Sequence, residues 1–265
     1  MGVTGGFSSD MAVIGGLGMC GTATRLTFDI KDYYDLKGQT MSLEEIAATK
    51  RYVFLSLPTP TSRYGHNYLY LYKMIKRIHE LNGREKIFII RSTVVPGTCQ
   101  KIMWRLGIVN IVHNPEFFTE RTMRADVKHP DLIVLGSMLP EYAQEVSLLY
   151  KHRYPKVKQF VTDTKTAEMV KLAVNTFYAL KVTFANQIYD VCQREEIDYS
   201  VVRDSMYSRR WVGKNHLDVW HKGFRGYGGK CLPKDMKAFN RAFKVPLLLL
   251  ADQLNDKYVS VKTNL

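Results

Sequence analysis

Two glycine-rich stretches hold residues whose types and spacing suit chemistry. The first is Gly16-Leu17-Gly18-Met19-Cys20-Gly21, which follows the strand-like run Met11–Gly15 and opens a helix-like one. Glycines at this spacing permit a tight turn and let a pyrophosphate approach backbone N–H groups at a helix N-terminus. A carboxylate about 20 residues further on, at the end of the next strand, is placed to accept from the ribose hydroxyls of an adenine dinucleotide. Asp35 lies 19 residues after Gly16, and Asp29 and Asp32 are the alternatives. A carboxylate rather than an arginine favours NAD over NADP.

The second stretch is Gly226-Tyr227-Gly228-Gly229-Lys230-Cys231-Leu232-Pro233-Lys234-Asp235. Pro233 suits the first turn of a helix, which sets Cys231 just ahead of the helix N-terminus. There the helix dipole, with Lys230 and Lys234, favours the thiolate, the nucleophilic form. The preceding glycines let a substrate reach the backbone closely. Together these features suit covalent catalysis by sulfur. Cys20, Cys99 and Cys192 are read as buried, inert thiols. The four cysteines form no CxxC and the seven histidines no HExxH. That spacing argues against a zinc ribbon or a redox dithiol, fits a reducing, cytoplasmic setting, and leads us to expect no metal site.

These residues need a scaffold, and the chain shows two patterns. The runs Met11–Gly15, Asp32–Leu36, Arg51–Leu57, Lys86–Arg91, Ile108–His113 and Asp131–Leu135 are predicted strands. Gly18–Phe28, Ser42–Thr49, Asn67–Leu81 and Thr98–Leu106 are predicted helices between them, with a Ser42/Glu45 capping box. The alternation predicts an α/β fold with a parallel sheet covered on both faces. Thr162–Glu195 reads as one long helix without Gly or Pro. Val170, Val174, Phe177, Leu180, Phe184, Ile188 and Val191 recur at spacings of three and four and predict its buried face. Helices are also expected from Tyr199 and over Pro233–Phe243, with a loop over Ser208–Lys230. Residues 1–10 are Gly/Ser-rich and read as a flexible leader, and a boundary near residue 160 separates the α/β domain from the helical one.

Composition sets outer limits. A chain of 265 residues, 46% hydrophobic and 24% charged, is neither collagen, nor a disulfide scaffold, nor wholly disordered. Its longest apolar run, Val245–Ala251, is far short of the roughly 20 residues that span a bilayer, and no signal-peptide pattern leads the chain. With 38 Lys and Arg against 25 Asp and Glu, the net charge is +13, which attracts nucleic acid, acidic membranes or phosphorylated substrates alike. The basic residues are spread along the chain, and no recognition helix or RNP-like motif is present, so neither nucleic acid nor membrane is the expected partner.

The string GYGGKCLPKD resembles the catalytic-cysteine signature of the UDP-glucose/GDP-mannose dehydrogenase family. Further segments resemble that family in the same order. They are Ser56-Leu57-Pro58-Thr59-Pro60, Arg91-Ser92-Thr93-Val94-Val95-Pro96-Gly97-Thr98, Asn114-Pro115-Glu116-Phe117-Phe118-Thr119-Glu120, Ala125-Asp126 through Gly136, and Thr166-Ala167-Glu168-Met169-Val170-Lys171-Leu172-Ala173-Val174-Asn175. The resemblance implies a Rossmann-like NAD-binding domain at 11–160 and a helical central, dimerising domain at 161–265, the family's third, nucleotide-gripping domain being absent. It implies a four-electron oxidation of a nucleotide-sugar C6 alcohol to the uronate, UDP-glucose to UDP-glucuronate being the expected case.

The same resemblance implies roles. Cys231 forms the thiohemiacetal and thioester, and Lys171 and Asn175, i and i+4 on one helix, stabilise the oxyanion. Glu116 is the acid/base group for thioester hydrolysis, Thr93 helps hold the water, and Asp235 pairs with Lys171 or with that water. Pro58, Thr59, Pro60, Ser92, Thr93, Val94, Glu120 and Lys234 join the glycine turn in holding the cofactor, with Val94, Val95 and Pro96 near the nicotinamide. Glu116, Phe117, Phe118, Thr119, Lys171, Asn175, Phe224, Arg225, Gly226, Tyr227, Gly228 and Cys231 contact the nucleotide sugar, Arg225 at a phosphate. Arg210, or Arg209, reaches into a neighbouring subunit, and the 162–195 helix forms a homodimer. Two other readings stay open: a hydroxyacid-type dehydrogenase making a single hydride transfer without the cysteine, and a catalytically silent binding or assembly protein on the same scaffold.

Overall fold

The computed structural model of the chain describes residues 7–62, 65–82 and 85–261, in two compact units divided after Lys171. The first unit runs β1 (Met11–Ile14), α1 (Met19–Phe28), β2 (Tyr33–Tyr34), α2 (Leu43–Thr49), β3 (Tyr52–Leu55) and a small hairpin of β4 (Thr61–Ser62) and β5 (Gly65–His66). It continues with α3 (Leu69–Asn82), β6 (Ile87–Ile90), α4 (Thr98–Leu106), β7 (Ile111–His113), α5 (Met123–Lys128), β8 (Ile133–Ser137), α6 (Pro140–Arg153), β9 (Gln159–Thr162) and the start of α7 (Thr164–Arg194).

The sheet order is β2-β1-β3-β6-β7-β8-β9. Its central strands read as unbroken apolar runs because helices cover both faces. Ala12, Ile14, Val53, Leu55, Phe88 and Ile90 face one core with Ile46, Ile75 and Ile102. Met11, Val13, Phe54, Ile87 and Ile89 face the other, with Ala143, Val146 and Leu149 of α6. The chain leaves β1 for β2 on one side and reaches β3 on the other. The crevice outside the carboxyl ends of β1 and β3 is therefore the topological switch point, where open α/β sheets bind ligands.

Several expectations need correction. The sheet is not wholly parallel: β7 and β8 pair antiparallel, Val112 opposite Ser137. Their connection holds only the six-residue α5, too short to carry the chain back along the sheet as a crossover helix. β9 was not among the expected strands; it is an edge strand whose Phe160 and Val161 are exposed, so it lacks the apolar run that marks the others. In the expected leader, residues 1–6 lie outside the described residues. Ser8–Asp10 form a 3-10 turn, fixed by Lys50 Nζ on the Ser9 carbonyl at 2.6 Å and Arg51 N on the Asp10 carbonyl at 2.9 Å.

The compact units divide within α7, after Lys171, because the first turns of α7 are built into the first unit. A Cβ on Gly136 of β8 would stand 2.5 Å from Ala167 Cβ, and Glu168 is fully buried. The second unit holds the rest of α7, then α8 (Tyr199–Tyr207), the hairpin β10 (Trp220–His221) and β11 (Phe224–Arg225) inside the expected loop, α9 (Leu232–Phe243) and α10 (Pro246–Val259). The expected buried face of α7 is also corrected. Leu172, Ala179, Val182, Ala185 and Cys192 are buried, whereas Phe177, Phe184 and Val191 are 59%, 50% and 40% exposed. Both stripes satisfy helical spacing, and the small residues take the inward one, where they admit close neighbours such as Tyr199, Leu217 and Val219. Among the described residues no helix is long and apolar enough to cross a membrane.

Candidate active site

The glycine turn lies between β1 and α1. Gly15 takes φ +81, and a Cβ there would meet the Ser56 carbonyl oxygen at 2.5 Å. A Cβ on Gly21 would stand 2.0 Å from the Gly15 oxygen, so only glycine lets α1 lie this close to the strand. At Gly18, the N-cap of α1, the nearest atom to such a Cβ is 3.6 Å away, and Leu17, Gly18 and Met19 are exposed. The turn is thus closed beneath and open above, a cradle that fits a dinucleotide pyrophosphate.

Asp35 follows β2, and its Oδ2 accepts from Leu17 N at 3.1 Å, which brings the carboxylate to the rim of the turn. The two alternative acids are engaged elsewhere: Asp29 with Lys31 at 2.5 Å and Asp32 with the buried Lys50 at 2.5 Å. Cys20, in the first turn of α1, is half-buried, and burial pushes its thiol up despite the nearby Arg91 cation.

At the ends of β3 and β6 the expected cofactor residues divide. Pro58 and Pro60 are exposed, and Thr93 is half-buried. Thr59 is buried, and its Oγ1 donates to the Thr93 carbonyl at 2.8 Å. Ser92 is buried, and its hydroxyl donates to the Leu57 carbonyl at 2.7 Å and accepts from Leu57 N at 2.9 Å. Val94 belongs to the core, 0% exposed, so its side chain cannot line a nicotinamide; Val95 and Pro96 beside it are half-buried.

Glu116 follows β7. Its Oε1 is 3.6 Å from Lys171 Nζ, and its Oε2 accepts from Phe118 N at 3.1 Å. The Lys171 ammonium also lies 5.4 Å from the centre of the Phe117 ring. Thr119 N donates to Asp126 at 3.0 Å, so the amides of residues 118 and 119, expected to meet substrate, are already satisfied inside their own loop. Glu120 is exposed.

Beneath this loop lies a polar layer that sequence reasoning missed. Arg91 is buried and donates to Asn114 Oδ1 at 2.5 Å and to Tyr150 OH at 3.0 Å. His113 is buried beside it. Burial, with the charges of Arg91 and Lys171, depresses its imidazole to about 3, so it is neutral at ordinary pH.

In the second unit Cys231 is the N-cap of α9, exposed, with Pro233 in the first turn. Asp235, one turn into the helix and 1% exposed, accepts from Asn175 Nδ2 at 2.5 Å and pairs with Lys234 Nζ at 2.6 Å. Asn175 on α7 therefore sets the seat of the helix that presents the thiol. Asp235 thus pairs with both Asn175 and Lys234.

The loop before Cys231 needs a correction as well. Arg225 does not present a guanidinium to a phosphate. It is buried, pairs with Asp190 at 2.6 Å, donates to Asn186 Oδ1 at 3.0 Å, and stacks on Tyr189 and Tyr258. Tyr227 is buried and donates to Asp252 at 3.0 Å. Gly226 abuts Asn255, and Gly228 lies against the ring of Phe224, a Cβ at each meeting those atoms at 2.5 Å. Arg209 and Arg210 are exposed on the turn after α8, Arg210 over the Trp211 ring.

Two models of one family match the chain: the "UDP-glucose/GDP-mannose dehydrogenase family, NAD binding domain" over residues 30–154 and its "central domain" over 165–257. The first match begins after the glycine turn, so the assignment of that turn rests on the geometry above. A UDP-glucose 6-dehydrogenase of Rickettsia conorii is 32% identical over 193 residues, covering 71% of this chain and 44% of its own length. One from Bacillus subtilis is 31% identical over 205 residues, covering 74% and 45%. The chain thus spans less than half the length of these relatives. A UDP-glucose dehydrogenase structure from Pyrobaculum islandicum aligns with a TM-score of 0.82 at 23% identity, over 97% of this chain and 70% of that one, and shows the shared fold.

Proposed function

Since the chain belongs to the UDP-glucose/GDP-mannose dehydrogenase family, we propose that it is an NAD-dependent nucleotide-sugar dehydrogenase oxidising a C6 alcohol to the carboxylate, with UDP-glucose the first candidate substrate. NAD, when bound, supplies the hydride acceptor for each of two oxidations, and the glycine turn with Asp35 is the cradle proposed for it.

The protein's own residues carry the remainder. After the first oxidation gives an aldehyde, the Cys231 sulfur adds to its carbonyl carbon and the oxygen takes a proton, forming a thiohemiacetal. A second oxidation removes hydride and proton and leaves a thioester on the sulfur. Water then adds, the C–S bond breaks, and the acid departs with the thiol restored. Lys171 and Asn175 stabilise the oxyanion of these steps. Glu116, held by the Lys171 ammonium, takes the proton of the attacking water, which Thr93 helps hold.

The observation that carries this reading is the seat of Cys231: an exposed thiol on a helix N-cap, one turn from a buried Asp235 bound to Asn175. A helix N-terminus favours thiolate, and the buried pair fixes the helix that presents it. The exposed stripe of Phe177, Phe184 and Val191 supports a homodimer along α7, because an apolar face of this kind is commonly an interface.

The test is NAD reduction over a panel of UDP- and GDP-sugars, counting NADH per acid, beside Cys231→Ser. Two NADH per acid and a dead serine variant are expected. A panel without any NADH formation overturns the reading. One NADH per product redirects it to single-hydride chemistry. A serine variant with full turnover to acid removes the covalent route.

A further inference from the structure

Glu168 is a fully buried carboxylate without a role in the reaction above. Its Oε2 accepts from Gly97 N at 2.5 Å and its Oε1 from Cys99 N at 2.8 Å. Both amides open α4, whose N-cap is Gly97 at φ +91, a residue with no side chain to cap the helix itself. Amides at a helix start need an acceptor, and an ionised carboxylate is a strong one. Glu168 thus caps α4 from a helix about 70 residues further along the chain. The Cys99 thiol also faces the carboxylate and is held well above its ordinary range by burial and then by that charge. From its own helix, Lys165 places its Cε 3.6 Å from where a Gly97 side chain would stand.

The capped turn ends the loop that starts at Thr93. Thr59 holds the front of that loop through the Thr93 carbonyl, and Tyr68 OH accepts from Val95 N at 3.0 Å in its middle. On α7, Lys171 follows Glu168 by three residues and so lies beside it on the helix surface, with its ammonium 3.6 Å from Glu116. One carboxylate therefore joins the loop of the water-holding threonine to the helical turn of the lysine that orients the base.

We propose that Glu168 is a positioning residue that fixes the Thr93 loop against the Lys171 turn. The inference rests on the reading of Thr93, Glu116 and Lys171 as the hydrolytic set. In Glu168→Gln the shape is kept, but the amide offers one acceptor and turns an N–H toward a backbone N–H, so one of the two bonds is lost.

The full chain, Glu168→Gln and Glu168→Asp provide the test. Glu168→Gln should lower kcat on the order of 10²-fold, as a small misplacement of reacting groups does. Its KM for NAD should stay within about twofold, a split that general loosening of the fold would not give. Glu168→Asp keeps a charged acceptor and should recover part of kcat. In parallel, the amide resonances of Gly97 and Cys99 should shift in Glu168→Gln, and the Lys171 signal of the 13C-dimethylated protein should shift with them. An unchanged kcat in Glu168→Gln, or a Lys171 signal that stays put while the amides move, overturns the proposal. A wild-type chain inert toward every nucleotide sugar defeats the dehydrogenase reading alone, because the resonance shifts then decide the role of Glu168. If Glu168→Gln does not fold, Glu168→Asp carries both readouts.

Discussion

The starts of α1 and α9 follow the same local recipe: glycines, a helix N-terminus and a cysteine in or just before the first turn. The glycines of the first are pressed into the fold, Gly16 against Tyr33 and Gly21 against the Gly15 backbone, and Cys20 stands half-buried with its thiol raised by burial. In the second, Gly229 stands at φ +77 with nothing within 4 Å of a would-be Cβ, and Cys231 is exposed. One recipe thus gives a tight cradle in one place and a presented sulfur in the other. The helix terminus is common to both, so what separates the two thiols is solvent access.

That contrast breaks most directly at the two sulfurs. Cys231→Ser should cut formation of the acid by at least about 10³-fold, as loss of a covalent nucleophile does, while Cys20→Ser stays within about threefold. Equal losses in both variants, measured as NADH and acid formed per enzyme, would erase the distinction. The glycines come next. Gly21→Ala forces a Cβ to 2.0 Å from the Gly15 oxygen and should cost about 3 kcal/mol or more of stability together with NAD binding. Gly229→Ala meets only the cost of a left-handed backbone, about 1 kcal/mol. Denaturant midpoints and NAD titration compare the pair.

Asp235→Ala sharpens the account of the α9 seat. It strands Asn175 Nδ2 in a buried site, and the loss should be about 2 kcal/mol, read as a lower urea midpoint alongside slower thioester formation. A further prediction is a matter of pH. His113 is depressed to about 3 by burial first. The unfolded imidazole protonates below about pH 6.5 while the folded one stays neutral. Stability should therefore fall with acidity between those values, by about 1.4 kcal/mol per pH unit from this group. His113→Asn should flatten that slope in unfolding curves recorded across the window.

Much of the frame was legible because its signals are short-range. The Ser42/Glu45 capping box forms, with Glu45 N donating to Ser42 Oγ at 3.1 Å. Thr98–Leu106 is a helix over the predicted span, and Asp35 reaches the turn as its spacing indicated. The misses share a cause. Arg225 looked like a phosphate ligand until Asp190, 35 residues earlier, neutralised it. Val94 looked like a cofactor wall until the core enclosed it. α6 went unread although Pro140 marks its first turn, a start signal present in the sequence.

By itself the sequence determined the strand–helix alternation, the glycine turn, the place of Cys231 at a helix start and the one-turn spacing of Lys171 and Asn175, since each depends on neighbours a few residues away. Tertiary structure decided which stripe of α7 is buried, where β7 turns antiparallel, that Asp235 answers to Asn175, and that Glu168 caps a distant helix. Those outcomes hang on which groups meet across long stretches of chain, where burial makes every unpaired charge or amide costly and so selects partners that local pattern cannot name.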